Sequence, residues 1–457
     1  DEYGGSFENR IRYALEIVQA IKEAAPKLTI EYKLPIITVN KDGSLRGKGG
    51  LEEAEGIEFA KKLEEVGVEM IQVAQANHTG NMGDTIPPMG DVDYNWTLPV
   101  ARKVKQVVSI PVATVGRVVS VEAGEKILQD GDADVIGYGR SLLTDPDIAN
   151  KVAKDECIRE CLNCNKGCVD AIQGRRAISC ILNAENGRES ILSIKPATTI
   201  KNVAIVGAGI AGLEAARVAS IRGHKVTLFE KADKIGGQVL IAGVPPRKNE
   251  ILRSIAYYEK VLPTLNVELK RNTVPTKDEL NKFDHVIVAV GAHNMELPMP
   301  CVNSKVVSSW DILNGLEVSG HCIVLGGGLV GSETAEYLAN QGLEVAIVEM
   351  ADQVAKEESS TVLPLMMKDF KEHDVKIYTN TKVESIDNNR IHTQNTKDAS
   401  TLDIQADVII NALGSKKNIF DTTGLNIPVS YIGDCSGKRT ADIANAIRTA
   451  YQVANEI

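Results

Sequence analysis

Apolar positions in the first third of the chain switch repeatedly between two periods. Ile11, Ala14, Leu15, Val18 and Ile21 recur at helical spacing, and Leu28, Ile30, Tyr32 and Leu34 then alternate as a strand does. The exchange is repeated: helix 51–66 before strand 68–74, helix 97–108 before strand 110–116, and helix 120–130 before strand 134–139. β/α units this closely spaced predict a parallel sheet covered by helices, either open or closed as a barrel.

The texture changes after residue 150. Residues 157–180 show no period, and 186–200 read as a linker around Pro196. Two strand–glycine-loop–helix–strand units follow, starting at Val203 and Cys322. Two further apolar strands, 286–291 and 408–414, each end in glycine and are expected to return beneath those units.

At 457 residues the chain is too long for one ordinary core, so two to four domains are expected. Apolar residues make up 43%, yet no uninterrupted apolar run is long enough to span a bilayer. A net charge of −10 without a basic block argues against nucleic-acid or anionic-lipid partners. Five of the eight cysteines lie between Cys157 and Cys180, a clustering that points to metal in a reducing cytoplasm rather than to disulfides. The polar start at Asp1 shows no signal pattern and lacks an initiator methionine.

Each glycine loop has a chemical reading. In the first, Gly207 permits a tight turn, Gly209 lets backbone amides approach a pyrophosphate, and Gly212 allows a helix to close on the strand. Glu230, ending the next strand, can accept both ribose hydroxyls. The second loop repeats this with Gly326, Gly328, Gly331 and Glu349, so two adenine dinucleotides are expected, one a flavin and one a nicotinamide. Gly433 and Asp434 precede a helix over 441–453, where a flavin ribityl-phosphate chain could sit; Gly237, Gln238 and Gly291 complete the candidate flavin contacts. This closing motif resembles that of the FAD domain of pyridine-nucleotide-dependent flavoprotein reductases, which implies a NAD(P) domain inserted in a discontinuous FAD domain. No CxxxxC or CxxC follows Gln238, which makes a disulfide reductase a minor alternative.

Cys161, Cys164, Cys168 and Cys180 offer four thiolates on one short segment. Zinc also favours such a set, but usually through two CxxC knuckles, and a site between redox modules gains nothing from a redox-silent ion. An iron–sulfur cluster is therefore expected, with Cys157 a bystander and Cys301, Cys322 and Cys435 small core residues.

Residues 1–10, with Val115-Gly116-Arg117 and 137–143 (GYGRSLL), resemble the second half of the old yellow enzyme barrel. Together with the cysteines and glycine loops, they resemble the multidomain branch containing 2,4-dienoyl-CoA reductase, 2-enoate reductase, bile-acid NADH:flavin oxidoreductases and trimethylamine dehydrogenase. The resemblance implies an α/β chain comprising the C-terminal half of an FMN-binding (β/α)8 barrel (1–155) and a [4Fe–4S] segment and linker (156–200). An FAD domain (201–315 and 418–457) holding a NAD(P) domain (316–417) would follow. The barrel's first four strands would then lie upstream, leaving the chain N-terminally incomplete. Gly116, Arg117, Gly139 and Arg140 would hold the FMN phosphate. Lys33, on the strand phase opposite Leu34, would point into the lumen and stabilise reduced FMN, where the family usually has arginine. His78 would donate a proton to substrate. The implied activity is reduction of a C=C bond conjugated to a carbonyl, with electrons passing from NADH to FAD, cluster and FMN. Alternatives are an amine dehydrogenase or an electron-transfer subunit serving a partner flavoprotein, and a homo-oligomer is compatible with either.

Overall fold

A computed structural model describes residues 2–39, 43–46, 50–75, 82–437 and 442–457. The chain divides into two compact units, Asp1–Glu156 and Cys157–Ile457.

The first unit runs α1 (Phe7–Ala24), β1 (Glu31–Ile36), α2 (Glu53–Glu65), β2 (Met70–Gln75), α3 (Leu98–Lys105), β3 (Val112–Val115), α4 (Val121–Gln129), β4 (Val135–Gly137) and α5 (Arg140–Thr144). Its four strands pair in sequence order, all parallel. Ser6 caps α1 through the Asn9 amide and Ser120 caps α4 through the Ala123 amide, satisfying donors that the helix leaves open. Leu34, Ile36 and Ile71 are fully buried in one core with Phe59, Ala60 and Leu63 of α2. Gly56 lets α2 approach β1, since a Cβ there would stand 2.6 Å from Ile36 Cγ1. The expected strand beginning at Leu28 starts instead at Glu31. Leu28 is turned into a bend by its amide bonding to the Ala25 carbonyl and stays 55% exposed.

In the second unit, α6 (Val169–Gln173) lies within the cysteine stretch, between Cys168 and Cys180. Then come β5 (Asn202–Val206), α7 (Ile210–Ile221), β6 (Lys225–Phe229), α8 (Gln238–Ala242), α9 (Arg253–Thr264), β7 (Glu268–Lys270) and β8 (His285–Val288). A second series has β9 (Val306–Ser308), β10 (Cys322–Leu325), α10 (Leu329–Asn340), β11 (Val345–Val348), α11 (Leu363–Glu372), β12 (Lys376–Tyr378) and β13 (Val408–Asn411). The chain closes with β14 (Val429–Tyr431) and α12 (Ile443–Glu456). These strands form two parallel sheets, in the orders β14-β8-β5-β6-β7 and β9-β13-β10-β11-β12.

Both sheets place their first glycine-loop strand centrally, between the strand that follows it and the strand that returns later. In open α/β sheets such a reversal marks the strand ends at which ligands bind. α7 is apolar nearly all round because it is covered by α9 and α12 as well as by its sheet. The 186–200 stretch is irregular but tied down, for Asn455 donates to the Ser193 carbonyl and Arg222 to that of Lys195.

Ile71 lies between β1 and β3 with no exposure. Ile71→Ala should lower stability by about 2–5 kcal/mol, seen as an earlier melting transition by calorimetry.

Candidate functional site

Four candidate residues of the first unit, Gly116, Arg117, Gly139 and Arg140, lie just past the carboxyl ends of β3 and β4. Val115 pairs with Gly137, so the loops carrying Gly116-Arg117 and Gly139-Arg140 are neighbours. Gly116 adopts φ +142°, and a Cβ on it would stand 2.9 Å from Trp96 Nε1. Arg117, buried and left-handed, donates to the Pro88 carbonyl and lies 4.9 Å from the Tyr94 ring centroid; Arg140 donates to the Pro87 carbonyl at 2.9 Å. Both guanidinium groups are therefore oriented by one backbone segment, with further N–H donors on each. Lys33 is exposed on the phase opposite Leu34 and Ile36. His78 lies outside the described residues. Sequence reasoning passed over Arg46, which is buried and paired with Asp91 at 2.6 Å, because its partner is far along the chain.

β5 leads into Gly207, whose φ of +102° suits only glycine. A Cβ on Gly207 would stand 2.5 Å from the Ala289 carbonyl oxygen, and one on Gly212 would overlap the Gly207 carbonyl oxygen. These two glycines close the loop on β8 and seat α7 against it. Gly209 differs. Its φ is −71° and a Cβ there would meet nothing within 4 Å, so the fold itself does not require glycine. Glu230 accepts the Ala208 amide at 2.7 Å and the Ala232 amide at 2.9 Å, and a carboxylate's other lone pairs remain for further donors. Gln238 Nε2 donates to Asp434 Oδ2 at 3.0 Å across 196 positions. Around that pair, a Cβ on Gly291 would stand 3.2 Å from Gln238 Nε2, one on Gly433 2.9 Å from Ala211 Cβ, and one on Gly237 3.2 Å from Gly209 Cα. Three distant segments thus converge on the first glycine loop.

The second loop repeats the geometry. Gly326 adopts φ +98°, a Cβ on Gly331 would overlap the Gly326 carbonyl oxygen, and one on Gly328 would meet nothing within 4 Å. Glu349 accepts the Gly327 and Ala351 amides, each at 2.6 Å.

In the cysteine segment Cys161 is buried and Cys164, Cys168 and Cys180 half-buried. The Ser179 amide donates to the Gly167 carbonyl at 2.8 Å, and a Cβ on Gly167 would stand 2.5 Å from the Ser179 carbonyl oxygen. This close pairing brings the chain at Cys180 beside Cys168. Burial pushes the Cys164 thiol above its usual range, and Cys161, Cys180 and Cys168 add to the shift, so the four sulfurs share one electrostatic neighbourhood. Among the described residues, no group of three or more His, Cys, Asp or Glu side chains is arranged as a cage for a metal ion.

Asn163 and Asn165, not singled out from the sequence, are 1% exposed and left-handed, with φ +54° and +61°. Asparagine tolerates that conformation better than most residues, which was the available signal. The Asn163 amide donates to Cys161 Sγ at 3.3 Å, while its side chain donates to Glu250 at 3.0 Å.

Two sequence profiles match the chain: NADH:flavin oxidoreductase / NADH oxidase family over residues 1–157, and pyridine nucleotide-disulphide oxidoreductase over 201–433. A bilirubin reductase of Mediterraneibacter gnavus (strain CC55_001C) is 47% identical over 466 residues, covering 100% of this chain and 72% of that protein. The chain belongs to the multidomain old yellow enzyme-like NADH:flavin oxidoreductases. Solved structures of this NADH:flavin oxidoreductase architecture include a 2-naphthoyl-CoA reductase in complex with 2-naphthoyl-CoA (TM-score 0.88, 26% identity). Another is histamine dehydrogenase from Rhizobium sp. 4-9 (TM-score 0.85, 25% identity), and each match covers 100% of this chain and 70% of the other. The flavin oxidoreductase has the barrel-type β/α half, with four parallel strands, and the FAD/NAD-type domain expected from its sequence.

The glycine geometry separates two roles. Gly209→Ala should leave melting of the flavin-free protein unchanged and weaken flavin binding at least about tenfold, because only a ligand needs that space. Gly212→Ala should lower both. Calorimetry beside flavin titration checks the pair, and equal destabilisation by the two variants would contradict the assignment.

Proposed function

We propose that this chain carries the electron-entry part of an NADH-dependent reductase that saturates a C=C bond conjugated to a carbonyl. The observation behind this reading is that a single unit assembles two dinucleotide cradles together with a four-thiol loop. The first cradle suits FAD: Gly207, Gly209 and Gly212 would present backbone to the pyrophosphate, Glu230 would face the ribose, and the Gln238–Asp434 pair with Gly237, Gly291 and Gly433 would shape the flavin end. The second suits NADH through Gly326, Gly328, Gly331 and Glu349.

Cys161, Cys164, Cys168 and Cys180 supply the donor set of a [4Fe–4S] cluster, whose chemistry is one-electron transfer between carriers that cannot touch. Hydride transfer needs reacting atoms about 3–3.5 Å apart, a condition that one-electron relay through such a cluster does not impose. On the barrel side, Gly116, Arg117, Gly139 and Arg140 would bind the FMN phosphate, as loops after late barrel strands commonly do. Lys33 would place a cation toward the flavin, and His78 would protonate the substrate. Among the described residues no helix is long and apolar enough to cross a membrane, and we place the enzyme in the reducing cytoplasm, where thiolate-bound iron persists.

Bilirubin and 2-naphthoyl-CoA, named in two of the similar proteins, both present C=C bonds conjugated to a carbonyl. Histamine dehydrogenase favours a second reading, amine oxidation with electrons leaving the flavin. The 47% identity to a reductase weighs against it. Anaerobic holoenzyme with NADH should give a saturated product, identified by mass spectrometry, from a tetrapyrrole, an enoate or an enoyl thioester. Oxidation of primary amines without any such product would establish the second reading.

Nicotinamide choice follows from Glu349. Its carboxylate would accept ribose hydroxyls but repel a 2′-phosphate, and Met350, Ala351, Asp352 and Gln353 supply no compensating cation. Charge-assisted bonds are worth about 1.5–3 kcal/mol, so NADH should exceed NADPH in kcat/KM for flavin reduction at least about tenfold. Glu349→Ala should narrow that gap mainly by weakening NADH. Stopped-flow rates with both nucleotides read it, and equal wild-type efficiencies would defeat the assignment.

A further inference from the structure

The second glycine loop and the cysteine loop are bridged by residues 354–361, which are hydrogen-bonded at both ends. At the nucleotide end, the Ala355 amide donates to the Gly327 carbonyl at 2.7 Å, and the Gly327 amide is the one held by Glu349. A Cβ on Gly327 would stand 2.6 Å from Val354 Cγ1, so this stretch packs directly behind the loop. At the cysteine end, Asn165 Nδ2 donates to Thr361 Oγ1 at 3.0 Å. Asp170 Oδ1 accepts from Ser359 Oγ at 3.2 Å, from the Ser360 amide at 3.1 Å and from Ser360 Oγ at 2.6 Å.

The middle of the bridge is equally constrained. The Glu358 amide donates to the Ala355 carbonyl at 2.9 Å, and Ser359 Oγ and Thr361 Oγ1 are 3.0 Å apart. Val354, Ala355, Glu358, Ser359 and Thr361 are buried, and the Glu358 carboxylate is paired with Lys248 and, at 3.5 Å, with Lys166 between Cys164 and Cys168. A short segment with most of its residues buried and hydrogen bonds at both ends moves as a piece more readily than it yields locally. Any adjustment of Gly327 around a pyrophosphate would thus be passed to groups bonded to the thiolate loop.

We propose that residues 354–361 couple occupancy of the second dinucleotide site to the redox state of the centre held by Cys161, Cys164, Cys168 and Cys180. The proposal rests on the reading of those thiolates as an iron–sulfur site. Asn165, Asp170 and Thr361 act as positioning residues. Acting through that bridge, an occupied nucleotide site would disfavour adding an electron to the centre, and by linkage a reduced centre would loosen the nucleotide by the same factor. Reduction would thereby help to clear spent nucleotide from its site.

The test is an anaerobic redox titration of the holoenzyme, following the iron signal by electron paramagnetic resonance with and without saturating ADP-ribose, which fills the adenosine diphosphate cradle and carries no nicotinamide. ADP-ribose should lower the midpoint by the equivalent of about fivefold or more, on the scale where tenfold is 59 mV for one electron. Thr361→Val removes the hydroxyl that accepts from Asn165 while keeping the side-chain shape, and Asp170→Asn weakens the acceptor for three donors. Each should shrink the shift with iron content and ADP-ribose affinity of the oxidised enzyme unchanged. If Asp170→Asn loses iron, Thr361→Val decides the question. An identical wild-type midpoint with and without ADP-ribose, or an undiminished shift in the variants, would overturn the proposal. Zinc in place of iron would overturn it through the reading beneath it, and is recognised by metal analysis before any titration.

Discussion

Binding a pyrophosphate requires backbone amides to reach the anion while a helix and a strand close in behind them, and a single Cβ in the wrong place prevents it. The second unit meets this constraint twice with the same construction. Gly207 and Gly212, like Gly326 and Gly331, press the turn against the returning strand, and an acidic side chain pins the loop from the neighbouring strand end. The central position of β5 and of β10 in their sheets follows from that construction, because the returning strand must supply the carbonyl oxygens at Ala289 and Ala412 against which the turn packs. Everything proposed for electron entry depends on these two closures.

Buried charge links the parts of the second unit. Lys248 lies 3.0 Å from Glu333 on α10 and also pairs with Glu358, while Arg247 pairs with Glu336 on α10 and with Asp369 on α11 at 2.6 Å. Burial alone would drive Lys248 toward neutrality; its two carboxylates instead hold its pKa above the usual lysine range. Taking such groups out of water costs several kcal/mol per ion, and removing one partner would strand the others. Geometry is what such a cluster specifies: the 245–253 stretch fits α10 and α11 in one arrangement. A similar set, Glu214 with Arg217 and Tyr258, joins α7 to α9.

Features written in local spacing were legible in the sequence. The four strand–helix alternations of the first unit fall within a few residues of their expected places, because burial of one helix face and alternate strand positions is a local pattern. Leu28 misled because an apolar residue before a strand has the right phase whether or not the backbone has yet extended; the bend at Ala25 decides otherwise. Glycine spacing was the clearest signal, since it encodes backbone conformation directly. What stayed hidden is long-range pairing. Asn163 finds Glu250 across 87 positions, Asn165 finds Thr361 across 196, and Lys248 finds Glu358 across 110. No periodicity announces such partners, although asparagines beside Cys164 and a glycine before Cys168 do hint at a loop forced into unusual backbone angles.

The central claim is that the four thiolates hold a redox centre between two-electron carriers, rather than a structural ion. Low-temperature electron paramagnetic resonance of the anaerobic holoenzyme reduced with NADH alone tests it most directly. The account predicts a fast-relaxing iron signal that is absent before NADH is added and lost in Cys168→Ser. A silent spectrum from a protein carrying stoichiometric zinc would contradict it.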